Sequence, residues 1–469
     1  MTARWGEVTL GEILAALKGE LISGPGDLVI KGLSTDSREL KKGDLFIALK
    51  GERYDGHDFV KQAIDKGAAG LLVQRDYQVE IPKYRKPAVI TVTDTLRALG
   101  DLAAWWRHEQ QVTVAAITGS AGKTTTKEMS AAILEIGHST LKNEGNFNNL
   151  VGLPLTLLML VRDHQKAVLE MGMNRPGEIA RLTEIADPDV GLITNVGRAH
   201  LEGLGDIRGV AKAKAELIEK ISPGAHVLLN GDDALLMEVS APYRKKVSTY
   251  GLGSRNHIRA EKIRSLGREG STFELRHEGS PMTISLKVPG VQNVRNALAA
   301  SAIALCMNVP EDHIVQALKS YKGIKGRFMP TTLPGGALLL DDTYNSNPYS
   351  LRAAINALKD LQVEGGRVLV GLGEMLELGQ EAVPAHLEAG KMVAEMGAYY
   401  FVAMGAHARE MIKGALENGF PSERVLLVET HKDMSKALSD VMDSGDLVFL
   451  KGSRKTGLDK VVEMLKGGC

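Results

Sequence analysis

Short apolar runs of four to six residues recur along the chain, and segments with apolar positions at helical spacing separate them. In the middle of the sequence, residues 112–117 form such a run close to a glycine, as expected for a strand that is buried on both faces of a sheet. Runs at 167–171, 190–194 and 226–229 follow it, with helical segments between them. Strands that alternate with helices predict βαβ units and a parallel sheet with helices on its faces.

The same alternation extends to both sides of this segment. Towards the N-terminus, short strands at 45–49, 70–73 and 88–92 are mixed with helices. Beyond a stretch rich in glycine and proline at 323–334, five further apolar runs alternate with helices. A chain of this length is too long for one ordinary core. We therefore predict an α/β protein of three domains: a small mixed α/β domain at 1–110, a central parallel sheet at 111–328, and a doubly wound, Rossmann-like sheet at 329–469.

Composition and charge exclude several classes of partner. The 57 basic residues balance 57 acidic ones, so no overall field attracts nucleic acid or an anionic membrane, and we expect no nucleic-acid partner. The longest apolar run, at 150–161, is shorter than the roughly 20 residues that a membrane-spanning helix needs. Two cysteines, Cys306 and Cys469, suit a reducing compartment. We expect a cytoplasmic protein without a membrane segment, and a monomer.

The strand at 112–117 leads into a glycine-rich loop that is typical of phosphate binding. Glycines let the backbone turn its N–H groups towards phosphate oxygens, and the start of the following helix, predicted at 127–136, adds a favourable dipole. Lys123 would neutralise phosphate charge, and the Thr124 hydroxyl would bind Mg²⁺. The common motif has a glycine where this chain has Ile117, so the loop is a shorter variant, and an incidental glycine turn is the alternative. The predicted phosphate-binding residues are Gly119, Ser120, Ala121, Gly122, Lys123, Thr124 and Thr125.

Three further residues occupy positions where their side chains could take part in metal binding or acyl transfer. Glu170 interrupts an apolar strand near its carboxyl end, where it would either cap a structural element or face a ligand crevice. His200 follows the next strand, although a loop histidine is more often a surface residue. Lys214 lies within the apolar stripe of a predicted helix at 209–221. It would either extend to solvent or be a desolvated lysine whose pKa falls, leaving a neutral amine.

Ordered sequence strings across the whole chain resemble the Mur ligase family. In the central region these are Thr118-Gly-Ser-Ala-Gly-Lys-Thr-Thr, Asn146-Phe-Asn-Asn-Leu-Val-Gly-Leu-Pro, Thr194-Asn-Val-Gly-Arg-Ala-His-Leu-Glu and Ala211-Lys-Ala-Lys-Ala-Glu-Leu-Ile. Within the family, strings in the outer regions resemble the members that add D-alanyl-D-alanine to UDP-N-acetylmuramoyl-tripeptide. These strings lie at 34–38, 46–59, 340–348, 373–379 and 451–454.

The resemblance implies a definite reaction. ATP would phosphorylate a substrate carboxylate to an acyl phosphate, and an incoming amine would displace phosphate. The products would be UDP-N-acetylmuramoyl-pentapeptide, ADP and phosphate. Two Mg²⁺ ions are implied, one held by Thr124 and Glu170 and a second by His200. Lys214 matches the family's carbamylated lysine, which would act as a further carboxylate ligand to metal. With Lys123, these residues are the expected catalytic set.

The resemblance also places the rest of the nucleotide. Asn293 and Asn296 would recognise adenine, Arg327 would reach phosphate across the domain boundary, and Asp342 would contact ribose. Without the resemblance, helix capping explains the asparagines equally well, and Asp342 could be a solvated carboxylate at a strand end. The family commonly has histidine where this chain has Gln292, so the role of position 292 is open.

The two other substrates would bind in the outer domains. The UDP-substrate residues implied are Ser37, Arg38, Glu52, Arg53, Asn148 and Asn149. Ser37 and Arg38 could equally form a turn with a surface ion pair. The candidates for the dipeptide all follow predicted strand ends of the last domain, which is where doubly wound sheets bind ligands. They are Asn345, Asn347, Glu374, Glu377, Ser453 and Arg454.

Two alternatives differ in function. A sister Mur ligase or a folylpolyglutamate synthase would share the central loop, Glu170, His200 and Lys214, but not the strings at 340–348 and 373–379. A phosphate-loop ATPase that acts as a conformational switch would hydrolyse ATP without an acceptor amine.

Overall fold

Three separate sheets organise the chain. The computed structural model describes residues 2–51, 54–82, 85–243, 246–279, 281–361 and 366–467. In the first sheet the strand order is β1-β3-β4-β5-β6-β2, with the central four strands parallel and the two edge strands antiparallel to their neighbours. Its elements are β1 (Thr2–Thr9), α1 (Leu10–Ala16), β2 (Glu20–Ser23), β3 (Val29–Ser34), β4 (Asp44–Ile47), α2 (Val60–Lys66), β5 (Gly70–Gln74), β6 (Ala88–Val92) and α3 (Thr95–Glu109).

The second sheet has nine strands in the order β15-β14-β13-β12-β11-β10-β7-β9-β8. Strands β7 to β13 run parallel, and β14 and β15 add an antiparallel edge. Its strands are β7 (Thr113–Thr118), β8 (Thr140–Lys142), β9 (Lys166–Glu170), β10 (Val190–Ile193), β11 (His226–Asn230), β12 (Lys246–Gly251), β13 (Ile258–Ser265), β14 (Ser271–Arg276) and β15 (Met282–Leu286). Its helices are α4 (Lys123–Leu134), α5 (Gly152–Leu157), α6 (Glu178–Ala186), α7 (Leu201–Leu204), α8 (Ile207–Lys220), α9 (Ala234–Ser240), α10 (Val291–Cys306) and α11 (Glu311–Ser320).

The third sheet has the order β16-β17-β21-β18-β19-β20, and only β16 is antiparallel. Its strands are β16 (Met329–Thr332), β17 (Leu338–Asp342), β18 (Val368–Gly373), β19 (Tyr400–Met404), β20 (Val425–Val428) and β21 (Leu447–Lys451). Its helices are α12 (Pro348–Leu361), α13 (Ala382–Met396), α14 (Ala408–Glu417), α15 (His431–Ser439) and α16 (Asp459–Gly467). Separate apolar clusters cover the two faces of this sheet, so it is doubly wound.

The first two sheets share one continuous core. A single apolar cluster runs from Trp5 in β1 through α3 to the helices on one face of the central sheet. The indoles of Trp5 and Trp106 lie 5.5 Å apart between ring centroids and donate to carbonyl oxygens of Leu158 and Leu160. This packing fixes the first sheet against the central one. Among the described residues, no helix is both long and apolar enough to cross a membrane.

Two sequence expectations needed correction. The helix after the phosphate-type loop begins at Lys123 and not at Lys127, because Gly122 turns the chain with a left-handed φ of 83° directly before it. The strands β12 to β15 were not expected. Residues of β13, β14 and β15 alternate between buried and more exposed positions. Such alternation is a weaker signal in the sequence than a continuous apolar run, so these strands were not predicted.

Candidate active site

The glycine-rich loop lies at the carboxyl edge of the central sheet. It follows β7, which pairs on one side with β9 and on the other with β10. The ends of all three strands therefore meet at one place, which is where open parallel sheets bind ligands. Glu170 ends β9, and the segment that contains His200 follows β10. The arrangement brings the loop and the predicted carboxylate together.

Two glycines of the loop are required by close contacts as well as by backbone conformation. Gly119 has a φ of 149°, and a Cβ there would lie 1.8 Å from Oγ1 of Thr194. Gly122 has a φ of 83°, and a Cβ there would lie 2.4 Å from Oδ1 of Asn296. No side chain fits either position without displacing its neighbour.

Residues after β10 hold the loop in shape. The Asn195 side chain accepts a hydrogen bond from the amide of Ala121 at 2.9 Å and donates to the carbonyl of the same residue at 2.9 Å. Thr194 donates from its hydroxyl to that carbonyl at 2.7 Å, and the Ser120 hydroxyl donates to the carbonyl of Gly197. No role was predicted for Asn195, although it lies in the string 194–202. A loop braced in this way is preorganised before phosphate arrives.

Thr124 and Glu170 face each other, as predicted. The Thr124 hydroxyl donates to Oε2 of Glu170 at 2.8 Å, and the Asn148 side-chain amide donates to Oε1 at 2.8 Å. Arg327 donates from Nη2 to the Thr124 hydroxyl at 2.9 Å. Glu170 is 4% exposed. Both of its oxygens are therefore held in a fixed orientation at the foot of the loop.

Asn143 positions the backbone of Glu170 and was not predicted. Its side chain accepts from the Glu170 amide at 2.8 Å and donates to the Glu170 carbonyl at 2.9 Å. The buried ammonium of Lys127, one turn into α4, donates to the carbonyl of Asn143. A contact between residues 27 positions apart leaves no local pattern, so the sequence could not show it.

Lys123 and Lys214 lie close enough to influence each other. Lys123 donates from Nζ to the carbonyl of Gly119 at 2.8 Å. Part of its stem is exposed, but protein surrounds its amine, and this burial lowers the pKa of Lys123 although Glu170 opposes the shift. Lys214 is 1% exposed. Burial, and then repulsion from Lys123, place the pKa of Lys214 well below its ordinary value. Of the two hypotheses for Lys214, the desolvated lysine is the one that the structure supports.

His200 contacts the C-terminal unit. Its Nδ1 lies 2.6 Å from Oε2 of Glu377, in the loop after β18. The two atoms are close, but the geometry at Nδ1 departs from that of an ideal hydrogen bond. Contact with His200 is the main reason that the pKa of Glu377 lies below its ordinary value. Both residues have left-handed backbones, with φ of 56° and 63°.

The nucleotide candidates divide into two groups around the loop. Asn296 lies against Gly122, and its side-chain amide faces Oδ1 of Asn293 at 3.4 Å. Asn293, in the first turn of α10, donates to the carbonyl of Pro289 at 2.7 Å, whereas the cap position is Gly290 and has no side-chain cap bond. The Gln292 side-chain nitrogen and oxygen are both buried without a hydrogen-bond partner.

On the other side, Asp342 is paired instead of solvated. Lys451, which is 2% exposed, lies with Nζ 2.6 Å from Oδ2 of Asp342. Burial raises the pKa of Asp342, and Lys451 opposes that shift. The guanidinium of Arg327 stacks 4.0 Å from the ring centroid of Tyr344, two residues further on. From the sequence, Lys451 was noted only as the first residue of the string 451–454 that resembles the Mur ligase family.

The dipeptide candidates after β17, β18 and β21 form one interlocked edge. The amide of Ser453 donates to the carbonyl of Glu374, and the Ser453 hydroxyl accepts from the amide of Leu376. Oε2 of Glu374 accepts from the amide of Ala406 at 3.0 Å. Arg454 pairs with Asp459 at 3.1 Å, and Asn345 is exposed.

Asn347 reaches across to the loop. Its side-chain amide donates to the carbonyl of Ser120 at 3.2 Å, and its Oδ1 accepts from the amide of Ser350 at the start of α12 at 2.8 Å. One side chain therefore joins the C-terminal unit to the phosphate-type loop.

Of the UDP-substrate candidates, Asn148 lies in this cluster, where it donates to Glu170, whereas Ser37 and Arg38 follow β3 of the first sheet. Arg38 forms a surface ion pair with Asp36 at 2.7 Å, and Ser37 donates to the side chain of Gln62, which is the turn that the sequence left as an alternative. Asn149 accepts from amides at the start of α5. Glu52 and Arg53 lie outside the described residues.

The donors present fit Mg²⁺ in a limited way. Within the described part of the chain, no three His, Cys, Asp or Glu side chains are grouped to hold a metal ion. Thr124 and Glu170 do present hard oxygen atoms side by side. Mg²⁺ is usually held by one or two carboxylates, with waters and substrate phosphates completing its octahedron. The pair therefore fits an ion that arrives with a nucleotide.

A phosphate-gripping central sheet flanked by two α/β units is the architecture of a ligase that assembles its reactants between domains, and this chain belongs to the Mur ligase family. Three family models match it in order. They are described as Mur ligase family, catalytic domain (29–107), Mur ligase middle domain (117–304) and Mur ligase, glutamate ligase domain (326–454).

Individual relatives are similar over nearly the whole chain. The UDP-N-acetylmuramoyl-tripeptide--D-alanyl-D-alanine ligase of Escherichia coli (strain K12) is 36% identical over 98% of this chain and 99% of the relative. A crystal structure of MurF from Acinetobacter baumannii is 33% identical, covers 99% of both chains and superposes with a TM-score of 0.88. MurF ligase from Thermotoga maritima in complex with ADP is 29% identical over 93% of this chain and 97% of that one, with a TM-score of 0.83. The predicted family and fold class are confirmed.

Proposed function

We propose that this protein is an ATP-dependent ligase that joins D-alanyl-D-alanine to UDP-N-acetylmuramoyl-tripeptide, a step in making peptidoglycan precursors. The observation that carries the proposal is the meeting of the central and C-terminal units at one loop. The central unit supplies Lys123, Thr124 and Glu170, and the C-terminal unit contributes Asn347 to the same place. The full-length similarity to ligases of this name supports the choice of substrates.

The loop and its neighbours would hold ATP for attack by a carboxylate. The amides at the start of α4 would face the phosphates, and Lys123 would add positive charge where the γ-phosphate leaves ADP. Arg327, already beside Thr124, would share the charge on that phosphate. The substrate carboxylate oxygen bonds to the γ-phosphorus as the bond to ADP breaks. The amine of D-alanyl-D-alanine then attacks the acyl carbon, loses a proton, and phosphate departs.

Thr124 and Glu170 are the residues that we assign to one Mg²⁺, with His200 and a carbamylated Lys214 assigned to a second. Divalent cations supply charge stabilisation for oxygens on both sides of the transferred phosphoryl group. The burial that lowers the pKa of Lys214 supports the carbamate, because only the neutral form of an amine adds to CO₂ and a lowered pKa enlarges its share.

The outer units would hold the other two substrates. We assign the UDP end to the surface that carries Ser37 and Arg38, and the dipeptide to the interlocked edge after β17, β18 and β21. Closure of these units would exclude water from the acyl phosphate. Domain boundaries at 110/111 and 328/329, a monomeric state and a cytoplasmic location stay predictions.

The decisive experiment measures phosphate release from ATP with UDP-N-acetylmuramoyl-tripeptide, with D-alanyl-D-alanine, with both and with neither. The proposal expects sustained release only with both substrates and Mg²⁺, and formation of the pentapeptide product. Release without any acceptor would favour a conformational-switch ATPase. Release with a different amino acid as acceptor would favour a sister ligase.

A further inference from the structure

The loop after β18 presents a carboxylate to the ring of His200 from the other side of the domain boundary. We propose that Glu377 is a positioning residue that orients His200 towards a divalent cation, and that it does so only while the C-terminal unit lies against the central one. The inference rests on the proposed function, because it uses the assignment of His200 to the second cation. It changes the expectation that Glu377 serves the dipeptide.

The distance and the atoms involved define what Glu377 does to the ring. Nδ1 of His200 lies 2.6 Å from Oε2 of Glu377, so the carboxylate occupies this side of the ring. Nε2 is the ring nitrogen that this contact leaves for a cation. Histidines that bind metal ordinarily hold the other ring nitrogen against a carboxylate or carbonyl group, which fixes both the tautomer and the ring orientation. Glu377 provides that partner.

The backbone segments that carry His200 and Glu377 also contact each other. The amide of Glu202 donates to the carbonyl of Glu377 at 3.3 Å, and Gly379 packs against Glu202 at an ordinary contact distance. His200 and Glu377 both adopt left-handed backbone conformations. Such conformations in residues other than glycine persist where surrounding structure imposes them, and they concentrate at functional sites. Separation of the two units would remove the carboxylate from the ring.

The same surface offers a matched control. Arg198 and Glu381 form a second ion pair between the two units, at 3.3 Å, and Glu381 does not pair with His200. Removing the Glu381 carboxylate therefore weakens the interface without changing the surroundings of the ring. The two carboxylates have similar exposure, 52% for Glu377 and 46% for Glu381.

The test is binding of Mn²⁺, a paramagnetic substitute for Mg²⁺, to the full-length protein with a non-hydrolysable ATP analogue and UDP-N-acetylmuramoyl-tripeptide. Bound Mn²⁺ is measured by electron paramagnetic resonance for wild type, Glu377→Ala, Glu381→Ala and His200→Ala, and thermal unfolding confirms that each variant is folded. We expect His200→Ala to lose one class of Mn²⁺ site. Glu377→Ala should weaken the same class about 10- to 100-fold, and Glu381→Ala should leave it within about twofold.

Unchanged Mn²⁺ binding in Glu377→Ala, beside loss in His200→Ala, overturns the positioning role and leaves the proposed function intact. Equal weakening in Glu381→Ala also overturns it, because the effect would then belong to the interface in general. If His200→Ala keeps every Mn²⁺ site, His200 is not a ligand and the inference fails. The phosphate-release assay on wild type decides separately whether the ligase assignment fails with it.

Discussion

Lys214 depends on its position in α8 for the reactivity that we assign to it. Its pKa is lowered by burial and by Lys123, so the neutral amine is more abundant near neutral pH than it is on a surface lysine. Replacing Lys214 with alanine should abolish ligation, and short-chain carboxylates such as acetate should restore part of the activity by occupying the space of the carbamate. Product formation with and without added carboxylate measures both effects.

Lys212 provides the control for that experiment. It lies two residues earlier in the same helix but is exposed, so Lys212→Ala should keep full activity and show no response to acetate. Full activity in Lys214→Ala would exclude any role for the amine. Complete loss without rescue would leave the amine essential but would contradict the carbamate.

Lys123 should act on phosphoryl transfer alone. Its amine lies at the loop, where burial lowers its pKa and Glu170 opposes that shift. The predicted UDP surface near Ser37 belongs to another sheet. Lys123→Ala should lower ADP formation by several orders of magnitude and leave the Kd of UDP-N-acetylmuramoyl-tripeptide within about threefold, because charge stabilisation of the transferred group is lost while the distant surface is untouched. Calorimetry and a coupled ADP assay separate the two quantities. A parallel loss of substrate affinity would contradict separate binding units.

At the scale of elements, one residue, Gly122, both ends the glycine-rich loop and directly precedes α4. Gly122 precedes α4 with a φ of 83°, and Gly177 precedes α6 with a φ of 86°. A Cβ at Gly177 meets nothing within 4 Å, whereas a Cβ at Gly122 meets Asn296. Gly177→Ala should therefore cost about 1–2 kcal/mol from left-handed strain alone.

Gly122→Ala should cost a further 1–3 kcal/mol or so from overpacking, and it should also weaken ATP binding by displacing Asn296. Thermal unfolding and the Kd of ATP for both variants test this. Equal destabilisation by the two substitutions, with ATP binding intact, would show that the contact with Asn296 relaxes freely.

A feature could be predicted from the sequence where the residues that form it are adjacent in the chain. The strand β7, the glycines after it and Lys123 are adjacent in the chain, so pattern and chemistry point to the same place. The first turn of α4 was missed because its threonines are poor helix formers and Gly122 has no side chain to cap the helix; packing against the sheet outweighs both. Contacts of Asn143, Lys451 and Glu377 join distant segments, and no local periodicity records them.

For the whole molecule, the contacts between the central and C-terminal units concentrate near the site. Asn347 donates to Ser120 and His200 contacts Glu377, and Arg327, at the predicted end of the central unit, donates to Thr124. Each contact is worth only about 0.5–1.5 kcal/mol net. Together they favour an arrangement in which both units line one cleft, yet each can be broken without unfolding either sheet.

Asn347 allows this closure to be tested without disturbing its own helix. Asn347→Asp keeps an oxygen for the amide of Ser350, because aspartate is as good as asparagine at a helix start. It removes the amide donor to the Ser120 carbonyl and sets a negative charge against that oxygen. Loss of one hydrogen bond of about 1 kcal/mol should lower the closed population, and with it kcat, about fivefold. Thermal stability should stay near that of wild type, and small-angle scattering with an ATP analogue and the UDP substrate should report a larger radius of gyration.

Asn347→Ala, which removes both hydrogen bonds, should show the same opening with a further loss of stability. An increase confined to the KM for D-alanyl-D-alanine, with unchanged scattering, would instead assign Asn347 to the dipeptide.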